Sequence, residues 1–192
     1  MTRTIKYSGI FILALLAAIV ATLCDAIHVY TQTLSYPDPQ FFSQAWWVFP
    51  GFFIAFSSLA LIYLWLADAL KHWINCTLSC HHENTQTLVE ALTLFAIIYI
   101  LSGFGNFDPV ALCWIFYISF LIRWGFSYER LWLLIVAITL AIGGMFFEGL
   151  LAAFGLVKYR HSDIFNVPYW LGGVYIHGAF ALRAGMCRFI YR

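Results

Sequence analysis

Between Asp38 and Asp68 the sequence carries no charged residue. A run of that length is more than the roughly 20 apolar residues that a helix needs to cross a bilayer. The rest of the chain cannot cover it in water. Of 192 residues, 63% are hydrophobic and only 10% charged, where a soluble domain carries about 25% charged residues. The expected fold class is therefore an all-α integral membrane protein. In lipid every backbone group must be satisfied inside its own segment, and open strands cannot do that. The aromatic share of 20% suits interfacial and inter-helix rings. A net charge of +1 speaks against a nucleic-acid partner.

Further apolar runs divide the chain into a bundle of six transmembrane helices, approximately 7–29, 45–70, 87–104, 109–124, 131–155 and 167–189, in a single domain covering 1–192. No internal repeat or low-complexity tail is evident. Only Gly105 to Asp108, "GNFD", separates the third and fourth spans, which predicts a tight helical hairpin. With six spans, one face collects Arg3, Lys6, Lys71, Arg123, Arg130, Arg183, Arg188 and Arg192, and the other only Lys158 and Arg160. The positive-inside rule then places both termini in the cytoplasm. The first apolar stretch is too long for a signal peptide, and the residues before Asp25 lack a small-x-small cleavage site.

Five cysteines are an odd number, and nothing in their spacing suggests a disulfide framework. "NCTLSCHH" places Cys76, Cys80, His81 and His82 in one loop. Thiolate and imidazole suit zinc, but adjacent histidines do not easily face one ion, so these are weak metal candidates beside a reduced cytoplasmic loop. Asn75-Cys76-Thr77 matches a glycosylation acceptor but falls on the wrong face. No cofactor is expected.

Polar groups at bilayer depth carry more information, because a charge there costs at least ~2.5–3.5 kcal/mol and faces a partner or a cavity. Gly144, Glu148 and Ala152 share one helix face, as do Gly173, His177, Ala181 and Gly185. Small residues in such stripes let helices approach closely. From the rise per residue, Glu148 lies about 10 Å and His177 about 13 Å below the non-cytoplasmic face. Asp25 and His28 lie near the same face, on one side of the first helix. Three uses fit Asp25, His28, Glu148 and His177: hydrogen-bonded struts between helices, a polar corner of a lipid cavity, or a metal or acid–base site. The last would make the chain a membrane enzyme, and no nucleophile elbow, HExxH, phosphate-binding glycine loop or haem signature supports it.

"SQAWWVFPGF", Ser43 to Phe52, opens the second span. Trp46 and Trp47 suit an interfacial aromatic belt. Pro50 is able to kink the early helix, and Gly51 to admit a close neighbour. Together they suggest a shaped opening.

That stretch resembles the Ser-x-Ala-Trp-Trp-Val-Pro-Pro signature of the insulin-induced gene (Insig) proteins. Gly149 to Phe180 resembles the region of that family's last two helices, through Leu150, Leu151, Gly155, Tyr159, Asp163, Val167, Trp170-Leu171 and Gly178. "GNFDPV" falls where the family has a short connection containing an aspartate, here Asp108. The resemblance implies a non-enzymatic six-helix protein. Animal members reside in the endoplasmic reticulum, bind oxysterols, retain Scap and promote degradation of HMG-CoA reductase. Prokaryotic homologues surround a lipid-accessible cavity suited to a diacylglycerol-like lipid. This chain departs from the animal pattern: Phe49 precedes Pro50 where the family has Pro-Pro, the extended cytosolic termini are missing, and Glu148 is acidic.

The expectation is a minimal prokaryotic-type Insig-like bundle. It would bind a sterol- or diacylglycerol-class lipid in an intramembrane cavity and regulate a membrane-protein partner. Asp25, Trp46, Trp47, Glu148 and His177 would line or guard the cavity. Asp108 would contact the partner or, by itself, cap the fourth helix. The membrane is the endoplasmic reticulum in a eukaryote and the inner or plasma membrane in a bacterium. A ligand-free scaffold is the further alternative.

Overall fold

The computed structural model describes residues 5–74, 80 and 84–191. They form α1 (Tyr7–Tyr30), β1 (Leu34–Ser35), α2 (Val48–Leu70), α3 (Thr85–Phe104), α4 (Pro109–Gly125), α5 (Arg130–Ala153), β2 (Lys158–Tyr159) and α6 (Tyr169–Gly185), which runs on into a π-helical turn at Met186–Ile190. Among the described residues the fold is all-helical apart from one two-stranded sheet and isolated bridges. Helices α1, α2, α3 and α5 are each long and apolar enough to cross a membrane, and α4 is a shorter apolar helix. Between 17% and 28% of the most apolar window of each long helix is buried. Most of their apolar surface thus faces outward, as it must if lipid is the solvent.

Helix ends follow local chemistry. Asn84 and Thr87 form a capping box at the start of α3. Asp108 accepts from the Ala111 amide at 2.9 Å and precedes Pro109 at the first position of α4. Pro50 lies in the first turn of α2, where its missing amide has no intrahelical partner to lose. It starts the helix; the kink expected from it is not needed. A side chain at Gly51 would make ordinary contact with the Trp47 ring at 3.5 Å, so close approach is not its role.

Helix α6 is the hub. It packs on α5, α3 and α4, while α1 packs on α2 and α3. The expected α3–α4 hairpin has its tight turn, with the Asp108 amide donating to the Gly105 carbonyl at 3.1 Å. The two helices, however, take α6 as their main shared partner. The small face of α6 explains this: a Cβ on Gly173 would stand 2.7 Å from the Phe116 Cβ of α4.

A repeat that the letters conceal becomes plain in three dimensions. Helices α1 and α5 are both 24 residues long. One constant spacing separates Asp25 from Glu148, Gln32 from Gly155, Tyr36 from Tyr159, Phe42 from Phe165 and Trp47 from Trp170. Each helix ends in the same Schellman-type cap, with left-handed Gln32 in one and Gly155 in the other. Each continues into a strand, then a turn with two left-handed residues, Phe42-Ser43 or Phe165-Asn166, closed by a bridge to Gln44 or Val167. Strands β1 and β2 pair antiparallel, Leu34 with Tyr159 and Ser35 with Lys158. Joined by that pairing, these loops form a lid over one end of the bundle.

The opposite, basic end holds a disulfide between Cys80 and Cys187, 107 residues apart. This corrects the expectation that no disulfide forms; a separation that long leaves no spacing signal. Cys80 is thereby withdrawn from the weak metal set, whose other members, Cys76, His81 and His82, lie outside the described residues. Among the described residues, Cys24 and Cys113 are free.

Gly173→Leu should lower the melting temperature of the detergent-purified protein by several degrees, since overpacking costs about 1–3 kcal/mol or more. An unchanged melting curve would mean α4 and α6 are not packed in this way. In a denaturing gel without reductant, the chain should migrate faster than the reduced chain. Cys187→Ser should remove that difference.

Candidate functional site

Of the polar groups marked in the sequence, Asp25 and Glu148 lie under the lid. Asp25 is 3% exposed. Its Oδ2 accepts from the Tyr36 hydroxyl at 2.7 Å and from the Gln44 side-chain amide at 2.8 Å. Gln44 also donates to the Thr22 carbonyl at 2.9 Å. On the repeat-related side, Glu148 accepts from the Tyr159 hydroxyl at 3.0 Å and the Tyr175 hydroxyl at 3.1 Å. Tyr175 reaches across Gly144, where a Cβ would meet its ring at 2.5 Å. Burial, then the neighbouring carboxylates, push the Tyr36 and Tyr159 phenols far above their ordinary range. Both hydroxyls therefore remain donors at any physiological pH.

The two histidines go elsewhere. His28 bonds Ser102 of α3 at 2.7 Å and stacks on Tyr99 with centroids 4.6 Å apart. His177 meets the Phe116 carbonyl at 3.0 Å and Ser119 at 3.2 Å, both on α4. Trp47 packs edge-on against Tyr36, while Trp46 is exposed. Asp108 is exposed and engaged as the α4 cap. Among the described residues, no group of three or more His, Cys, Asp or Glu is placed to hold a metal ion. Asp25, His28, Glu148 and His177 are thus each bonded to another helix or a lid segment.

Two cavities lie at the basic end. One of about 450 Å³ opens between α3, α4, α5 and α6. Ala91, Leu94, Leu133, Phe180 and Ala184 line its apolar part; Thr87, Glu90, Arg123, Ser127, Glu129 and Arg183 line its polar part. Arg183 pairs with Glu129 at 2.7 Å, and the Arg123 guanidinium lies 3.9 Å over the Phe180 ring. The second cavity, about 280 Å³, is bounded by the starts of α1 and α3 and the end of α6. Neither contains Asp25, Trp46, Trp47, Glu148 or His177. Sequence reasoning missed the larger cavity because its walls come from four helices. The one legible hint was arginines and acids recurring at the same ends of the last four spans.

Glu148→Ala leaves two tyrosine hydroxyls without their acceptor, a loss of about 1–3 kcal/mol. Its melting temperature should fall by several degrees, and Glu148→Gln, which keeps a carbonyl acceptor, should lose less. Equal behaviour of both variants and wild type in thermal unfolding would remove Glu148 from the helix-joining role.

No protein-family model matches the sequence, and no curated protein does. Among solved structures, a mycobacterial Insig homologue, MvINS from Mycobacterium vanbaalenii, superposes with a TM-score of 0.78 at 21% identity over 94% of both chains. A cross-linked trimer of MvINS gives the same TM-score at 20% identity over 95% of both chains. The chain is a multi-pass integral membrane protein with the fold of that Insig homologue.

Proposed function

We propose that the protein binds a neutral, hydroxyl-bearing lipid of the diacylglycerol or sterol class in the 450 Å³ cavity and passes its occupancy to a membrane-protein partner. The observation that carries this reading is the amphipathic wall. Aliphatic and aromatic side chains form one part, while two arginines, two glutamates and the hydroxyls of Thr87, Ser127 and Tyr128 form the other. The volume falls within the range of about 300–1,000 Å³ usual for small-molecule sites. Two acids against two arginines leave no net charge for an ionic headgroup, and carboxylates and hydroxyls suit a lipid hydroxyl. In this reading all six helices span the bilayer, both termini are cytoplasmic, and the chain is not an enzyme. Asp25, Glu148 and His177 hold the helices that shape the cavity, and Trp46 and Trp47 anchor the lid at the interface. The MvINS trimer supports a homo-oligomer as the form in which occupancy is sensed. Mechanistically, a lipid that binds one helix arrangement better than another shifts the population toward it.

Native mass spectrometry of the detergent-purified chain, with lipid extraction, tests this. We expect one neutral lipid per chain, lost in Leu94→Trp, which fills the cavity from a half-exposed wall position. Wild-type protein without bound lipid, or equal lipid in the variant, would overturn the assignment.

A further inference from the structure

We propose that the smaller cavity at the basic end is a phosphate-binding site, separate from the neutral-lipid cavity. Its described lining comprises Lys6, Asn84, Ala184, Cys187, Arg188, Phe189 and Tyr191. That described lining presents two cations and no carboxylate, and among the described residues no ion pair holds Lys6 or Arg188. The larger cavity balances its charges; the described lining of this one does not.

Two helix starts flank it. Lys6 is the N-cap of α1 and Asn84 the N-cap of α3. The start of α1 has no side-chain cap and no acidic residue in its first turn. The Lys6 and Gly9 amides are taken, by the Ile190 and Lys6 carbonyls, so among the described residues the Tyr7 and Ser8 amides and the positive dipole end are what this start offers an anion. The start of α3 also lacks an acid in its first turn and adds the same sign of field. The end of α6 opposes this in part, and two of the carbonyls there are engaged: Ile190 accepts from the Lys6 amide and Met186 from the Tyr191 amide, both at 3.0 Å.

The walls are fixed rather than loose. The Ile5–Tyr191 bridge joins the segment before α1 to the end of the π-helical turn. The Cys80–Cys187 bond joins that turn to the segment before α3. Lys6, Arg188 and the two helix starts therefore converge from three chain segments held by a β-bridge and a covalent bond. A phosphate oxygen cluster matches this chemistry: several acceptors for amides and guanidinium, with negative charge opposite two cations. The phosphate could belong to an anionic lipid headgroup at the membrane surface or to a free ion.

The test uses the full chain in uncharged detergent with three probes: dioctanoyl phosphatidic acid, dioctanoylglycerol and inorganic phosphate. Affinities are measured by thermal shift and isothermal titration. We expect saturable binding of a phosphate-bearing probe, weakened at least tenfold in the Lys6→Gln/Arg188→Gln double variant and by raising salt toward 1 M, where the screening length shrinks to about 3 Å. Dioctanoylglycerol binding should be unchanged in that variant and lost in Leu94→Trp, so the two cavities are read independently. Binding of phosphatidic acid alone assigns a lipid headgroup; competition by inorganic phosphate assigns a free ion. No binding of either, or equal affinity in the double variant, would overturn the site.

Discussion

Two carboxylates in a membrane-embedded core set the terms for everything around them. Asp25 and Glu148 cannot stand alone at that depth, so each must recruit donors from outside its own helix. Asp25 draws Tyr36 and Gln44 down from the loop after α1. Glu148 draws Tyr159 from the loop after α5 and Tyr175 from α6. Those demands hold the two loops over the end of the bundle, close enough for β1 and β2 to pair. The lid is thus a consequence of burying acids, and it fixes how α1, α5 and α6 stand relative to one another.

The repeat gives this arrangement its economy. Ala14 and Ala137 are both fully buried, Ile10 and Leu133 nearly so, and each pair falls at the same place in its helix. One copy carries aspartate, the other glutamate; one carries a left-handed glutamine, the other a glycine. What recurs is physical role: a small contact residue, an acid bonded from outside its helix, a helix stop, a tyrosine donor, an aromatic at the next helix entry. A comparison by letter sees little of it, because Gln32 and Gly155, or Gln44 and Val167, share backbone geometry without sharing side chains.

This also explains what the sequence could and could not show. Helix existence was legible from uncharged runs, and the start of α4 from Asp108-Pro109, because capping is local. The special character of Asp25, His28, Glu148 and His177 was legible from depth alone. Their partners were not: Tyr36, Ser102, Ser119 and Tyr175 lie on other elements, and no spacing rule links them. The same limit hid the larger cavity and the Cys80–Cys187 bond. A resemblance of motifs located the fold where residue periodicity was silent, since a span apolar on all sides has no face to read.

That bond divides the chain unequally. It closes α3 through α6 into a covalent ring and leaves α1 and α2 outside as an open arm. The repeat places one copy within the ring and the other on the arm. Two halves built to the same plan are therefore tethered differently. The arm is held by side-chain packing, the lid and a short backbone bridge, while the ring cannot separate without electrons.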